Sequence, residues 1–322
     1  MAAMAGPTPE EQVQDLWYDD GNVILCAGHS WFRVHRTMLL QHSPVFRDMF
    51  MIPPSPDVEM IDGCPVIFLP DDPTHLEYLL RTIYYMSRPI IHSNGPAESF
   101  LRNSRETRVV LGIISLAHKY LMRDLLSEAT KCICARFPST FAEFVRTMDR
   151  PRAYCVSIAR PDAILIINVA RRIQPSPLDA VLPFVFYLCC QLDPSLLTEG
   201  VLSADGTVQR LCTEDLMRCL NGRFAMLKAN VEATKCFRLP LSGPLGTCRA
   251  IACKRAAREI TELAELDGLY SRIDAFASKD AWIVKMAQIF GLCEKCTRGL
   301  VEAHYYGREA VWDELTTIFR LD

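Results

Sequence analysis

Apolar and polar positions alternate with two different periods in the first 137 residues. The runs "GNVILCAG" and "SWFRVH" are short and rich in β-branched and aromatic residues, and Gly28-His29 separates them. This predicts a β-hairpin. "RTMLLQH" then predicts a short helix, which Ser43-Pro44 punctuates. Serine is a preferred N-cap and proline fits a first helical turn, so "SPVFRDMF" starts a second helix. Val45, Phe46, Met49 and Phe50 share one face of it. "MIPPSPDVEMIDGCP" is a proline-rich loop and "VIFLPD" a strand. "PTHLEYLLRTIYYM" is an amphipathic helix, with Leu76, Leu79, Leu80 and Ile83 on one side. The polar stretch "SNGPAESFLRNSRET" is an exposed loop, and "RVVLGIISLAHKYLM" and "RDLLSEATKCICARF" are two more helices. Strands and helices therefore mix in one unit that ends near Pro138.

Beyond Pro138 the strand period disappears. "STFAEFVRTM" predicts a helix capped by Ser139 or Thr140, and "PDAILIINVARRI" and "LDAVLPFVFYLCCQL" are apolar enough for buried helices. "TEDLMRCLNGRFAMLKANVEATKCF" carries Leu216, Leu220, Phe224, Leu227 and Val231 at helical spacing. "CKRAAREITELAEL" stops at Gly268, and "AWIVKMAQIFGL" and "RGLVEAHYYGREAVWDELTTIF" complete the chain. In the last, Leu300, Val301, His304, Tyr305, Val311, Trp312 and Leu315 form a broad apolar face. The expectation is an all-α bundle without internal repeats.

Half of the 322 residues are hydrophobic and 23% are charged, so a chain of this length can bury two ordinary cores. The net charge of -3 argues against a general nucleic-acid binder. The basic segment "CRAIACKRAARE" holds Arg249, Lys254, Arg255 and Arg258, but Glu259, Glu262 and Glu265 soon balance it, as on a solvated helix face. "MAAMAGPTPEEQVQDLWYDD" has the pattern of neither a secretion signal nor a transit peptide. The longest apolar run, "AVLPFVFYLCCQL", is too short for a bilayer and contains Pro183. Fourteen cysteines without a secretion signal point to a reducing, intracellular compartment, cytoplasmic or nuclear. Three of the seven histidines, His29, His35 and His42, crowd into one short span. They fall on different elements without further ligands at metal spacing, so packing and turn roles are expected rather than a shared centre. No phosphate loop, nucleophile elbow or zinc-hydrolase motif is found, and no catalytic residue is assigned.

The stretch "DGNVILCAGHSWFRVHRTMLLQHSPVFRDMF" resembles the opening of a BTB/POZ domain. The resemblance rests on Asp20, His35-Arg36, Leu39 or Leu40, Ser43, Phe46 and Met49-Phe50. "LAHKYLMRDL", with Ala117, Tyr120 and Leu125, is similar to the later helix pair of that family. The resemblance implies a BTB/POZ domain of small sheet and flanking helices over 18–137; with a tail over 1–17 and the all-α domain that helical spacing predicts over 138–322, the fold class is α+β. It implies a non-enzymatic protein-interaction module, used either as an adaptor presenting targets to a cullin-type ubiquitin ligase or as a scaffold that associates through its BTB domain. A DNA-associated regulator is the competing reading. Strong self-association in the family uses a long N-terminal helix. Here "PEEQVQDLWY" offers at best a short one, so weak self-association is expected. The long proline-rich loop departs from compact versions at the place where adaptors help contact a cullin.

Cysteine spacing is the sharpest chemical signal. "TCRAIAC" sets Cys248 and Cys253 with four residues between them, and "LCEKC" sets Cys293 and Cys296 with two. This is the ligand count of a closed, structural four-cysteine zinc site. Four unrelated buried thiols, or a redox Cys-x-x-Cys, fit the spacing as well. The C-terminal segment resembles a group of fungal BTB proteins in which such pairs precede Gly-Arg-Glu-x-Val-Trp-x-x-Leu, here Gly307-Arg308-Glu309, Val311, Trp312 and Leu315. That resemblance favours zinc.

Overall fold

The computed structural model describes residues 8, 11–53, 58–86, 107–149, 161–202, 207–238, 248 and 250–321. A five-stranded sheet lies in the first part of the chain. Its strands are β1 (Gln12–Trp17), β2 (Val23–Ala27), β3 (Ser30–Val34), β4 (Met60–Ile61) and β5 (Cys64–Phe68), in the order β1-β3-β2-β5-β4. β2 and β3 form the expected antiparallel hairpin, and Gly28 supplies the positive φ of its turn. β5 joins β2 in parallel. Every residue of β2 is buried, because both sheet faces are covered. Val23, Leu25 and Ala27 point into the main core, whereas Ile24 and Cys26 join Trp31, Cys64 and Val66 on the other face.

The segment expected to be at best a short helix is instead strand β1, parallel to β3. Burial of Leu16 and backbone pairing with the edge of β3 override its weak helical pattern. The proline-rich loop holds the two-residue strand β4. The predicted loop from Ser93 to Thr107 lies almost wholly outside the described residues.

Helices α1 (Arg36–His42) and α2 (Pro44–Met51) meet at Ser43, as predicted. The Ser43 hydroxyl accepts the Phe46 N–H at 3.1 Å and donates to the Tyr120 carbonyl at 2.7 Å. One buried side chain therefore caps α2 and ties it to a distant turn. Phe46 stacks on Tyr120 with centroids 4.5 Å apart. α3 (Pro73–Met86) buries Leu76, Leu79, Leu80 and Ile83 against the sheet and against α4 (Thr107–Lys119), which precedes α5 (Arg123–Cys134).

The remainder is mostly helical: α6 (Phe141–Asp149), α7 (Asp162–Arg172), α8 (Leu182–Cys190), α9 (Pro194–Glu199), α10 (Thr213–Ala233), α11 (Ile251–Leu266), α12 (Asp280–Phe290), α13 (Glu294–Asp313) and α14 (Leu315–Ile318). A two-stranded ladder, β6 (Val201–Leu202) with β7 (Val208–Gln209), interrupts it where no strand was expected. Thr140 caps α6 through the Glu143 N–H, and the Glu143 carboxylate returns to Ser139. The main core runs from the sheet through α4 and α7 into α8 and α10, and Arg108 on α4 bridges to Asp162 on α7 at 3.3 Å. A second core joins α11, α12 and the first half of α13.

α10 departs most from its sequence pattern. Its buried face is Asp215, Cys219, Gly222, Met226, Ala229, Asn230 and Ala233, while Phe224 of the apolar stripe is 69% exposed. Small residues let neighbours approach closely. A Cβ at Gly222 would lie 2.3 Å from the Phe319 ring, and one at Gly307 on α13 would lie 2.6 Å from the Ala233 carbonyl oxygen.

Candidate functional site

The four paired cysteines come together at the N-terminal ends of α11 and α13. Cys248 precedes α11, and Cys253 sits in its first turn on the face that carries Ala256, Ala257, Ile260 and Ala264 inward. α12 ends at Phe290 because Gly291 takes a left-handed conformation, φ +74°, and the chain reverses. Cys293 is then the N-cap of α13, and Cys296 enters its first turn fully buried. The four Sγ atoms all lie within 4.8 Å of one another. The edge of a zinc–sulfur tetrahedron is about 3.8 Å. The two pairs are thus close enough to share one ion, and each is set by a helix start.

The surroundings favour the thiolate at Cys293 and oppose it at Cys253 and Cys296. The Cys293 N–H donates to the Cys253 sulfur at 3.4 Å. The Cys296 N–H, with the neighbouring thiols, lowers the exposed Cys293 thiol to about 7. Helix N-termini stabilise thiolates in the same sense. Cys296 is pushed the other way, by burial and by the Cys293 and Cys248 thiols. At Cys253 the Cys293 N–H pulls down, but burial and the adjacent thiols outweigh it. The raised Cys253 and Cys296 thiols are what a dication would relieve by displacing their protons. No open position remains in a set of four cysteines, so the chemistry available is structural.

The three crowded histidines have separate surroundings. The His35 N–H donates to the Tyr84 hydroxyl at 2.9 Å, and its Nδ1 lies 2.8 Å from the same oxygen. Its Nε2 is 3.1 Å from Asp20. Burial, partly countered by the His35 N–H, raises the Tyr84 phenol to about 12. His42 closes α1, where burial lowers its basicity against the pull of Asp124. His29 is exposed in the hairpin turn. Among the described residues, the four cysteines are the one group of His, Cys, Asp or Glu ligand atoms gathered closely enough for a metal ion. Lys254, Arg255 and Arg258 lie exposed on α11, as a solvated face predicts, and Arg249 lies outside the described residues.

Sequence reasoning missed two polar groups of the helical part. Asp215 is buried with two arginines, and Arg308 is 2% exposed between α13 and the Phe276 carbonyl. Asp215 sits on an ordinary helix face and carries no sequence signal, and the Gly307-Arg308-Glu309 motif marks Arg308 without indicating its burial. Among the described residues, no helix is long and apolar enough to cross a membrane.

Residues 18–136 match the family model of the BTB/POZ domain. No curated protein and no solved structure matches the chain significantly. The fold is therefore a BTB domain, a small sheet with helices, followed by a helical region. BTB domains are protein-interaction domains rather than enzymes, so the first part of the chain is an interaction unit.

Proposed function

We propose that this chain is a non-enzymatic intracellular protein-interaction module whose BTB unit binds a protein partner and whose helical region holds or presents a second. The BTB match over residues 18–136 carries the reading. Two uses follow: an adaptor that brings a target to a cullin-type ubiquitin ligase, and a scaffold that associates through the BTB unit. Exposed Met51 and Ile52 at the end of α2, and Met60 and Phe68 on β4 and β5, supply apolar contact surface. Strand β1 is consumed within the chain, which supports weak BTB self-association. Affinity capture with the full chain, followed by identification of what is retained, is the test. A cullin among the captured proteins supports the adaptor, a second copy held through the BTB unit supports the scaffold, and retention of no protein partner overturns the module.

Cys248, Cys253, Cys293 and Cys296 are proposed to hold one structural zinc ion, as in the fungal proteins that the C-terminal segment resembles. The convergence of four sulfurs within 4.8 Å supports this. All described cysteines are free thiols, as such a site requires. Elemental analysis of the purified chain should find about one zinc per molecule, the stoichiometry of a single four-sulfur site. Metal-free protein with unchanged stability overturns it.

A further inference from the structure

Helix α10 turns an apolar stripe away from its own fold. Its buried residues centre on Cys219, Gly222 and Met226. On the opposite side Met217 is 49% and Phe224 69% exposed, and Leu220 and Leu227 are half-buried beside them. Positions 217, 220, 224 and 227 alternate spacings of three and four, the a and d positions of a heptad. Glu214, Asn221 and Lys228, seven residues apart, are exposed along one flank of this stripe. Glu214 meets Arg218 on its own helix at 2.7 Å, and no ion pair among the described residues involves Lys228.

We propose that α10 docks antiparallel against α10 of a second copy of this chain. With the twofold axis near Gly222, Met217 faces the partner's Leu227, and Leu220 faces the partner's Phe224. Both layers recur by symmetry. This register sets Glu214 beside the partner's Lys228 on each flank, with the two Asn221 side chains meeting between them. In the parallel orientation the two flanks would separate and these positions would face the partner's other edge, setting Lys228 beside Arg223, a like-charge contact. The sign of the flanking charges thus selects antiparallel self-pairing, and a twofold interface needs that self-complementarity. α10 has 21 residues and offers four apolar layers in the pair. A contact of one helix face on each side is small beside the about 1,200 Å² that stable complexes bury, so the dimer is concentration-dependent. It uses none of the BTB surface and stands apart from the function proposed above.

Sedimentation velocity of the full chain from roughly 1 to 200 µM is the test, a range that brackets micromolar dissociation constants. Wild type should shift toward dimer across it. Phe224→Glu should weaken association at least about tenfold, with an unchanged far-UV spectrum because the side chain is exposed. Glu214→Lys and Lys228→Glu should each weaken it, and the double charge swap should restore it. A wild type that stays monomeric, an association indifferent to Phe224→Glu, or a double swap no better than the singles overturns the proposal. Association through the BTB unit would give the second of these results and leave the interaction module standing.

Discussion

Replacing Asp215 by Ala should destabilise the helical region more than any surface change, and the structure sets the scale. The Asp215 side chain is 2% exposed in the first turn of α10. Arg171 on α7 grips it with both nitrogens, Nε at 3.0 Å and Nη2 at 2.9 Å. Arg218 binds the same carboxylate, and the Cys212 thiol lies 3.4 Å away. Burial alone would raise this carboxyl, but the two arginines outweigh it and hold it below the usual range. The same guanidinium groups lie 5.8 and 6.0 Å from the centre of the Phe186 ring. Removing the anion would strand Arg171 beside an aromatic surface and leave Arg218 only its more exposed partner Glu214. Breaking one side of a buried pair costs about 3–5 kcal/mol. Arg171 is 34% and Arg218 18% exposed, so water recovers part of that loss and the lower end, about 3 kcal/mol, is expected.

Urea unfolding followed by tryptophan fluorescence reads this directly, because Trp312 sits in the aromatic cluster with Phe141, Phe144, Phe184 and Phe276. Asp215→Leu combined with Arg171→Met should recover much of the loss, since an apolar replacement of the pair removes the stranded charge. The pH dependence has a definite sign. A depressed folded value gives stabilisation that is complete above the unfolded value of about 3.9 and lost as pH falls through the folded one. The gap between wild type and Asp215→Ala should therefore narrow only below about pH 4. A loss under about 1 kcal/mol at neutral pH, typical of exposed pairs, would refute the reasoning.

Gly112→Ala should cost about 1–3 kcal/mol despite alanine's better helix propensity. A Cβ there would lie 2.2 Å from the His75 ring. Adding His75→Ala should return most of the stability in the same urea assay. Cys296→Ser should abolish zinc retention and speed hydrogen exchange in α11 to α13, while exchange in β2, β3 and α4 stays at wild-type rates. The buried His304 imidazole is lowered to about 4, first by burial and then by Arg308, and the Ala233 carbonyl only partly offsets this. Its neutral form therefore contributes stability that is full above about pH 6.5 and lost as pH falls toward the folded value. The effect is at most about 3 kcal/mol. His304→Leu should flatten that part of the stability–pH curve.

Much of the first unit was legible because its signals are local. Alternation in "NVILCA", the Gly28 turn and the Ser43-Pro44 start each act within a few residues. β1 was not legible, since "QVQDLW" becomes a strand only when the edge of β3 is there to pair with it. The cysteines fall between these cases. Spacing and the Gly291 stop place both pairs at helix starts, a local matter. That the two starts meet depends on how α12 packs between α11 and α13, which no spacing encodes.

α10 shows why periodicity can name the right helix and the wrong face. The helical repeat in a sequence is carried by its large apolar side chains, and on α10 these are Leu220, Phe224 and Leu227. Burial follows whatever the neighbouring helices can approach most closely. Gly222 admits the Phe319 ring, Cys219 accepts the Cys190 thiol at its carbonyl at 3.3 Å, and Asn230 reaches the Leu269 carbonyl at 2.7 Å. Close contact over small side chains, with the polar groups satisfied, replaces area with packing density. The large residues are then left on the outside, where exposure of Phe224 has no intramolecular return. A stripe of that kind, flanked by charges of opposite sign at its two ends, has the pattern of a surface that meets its own copy.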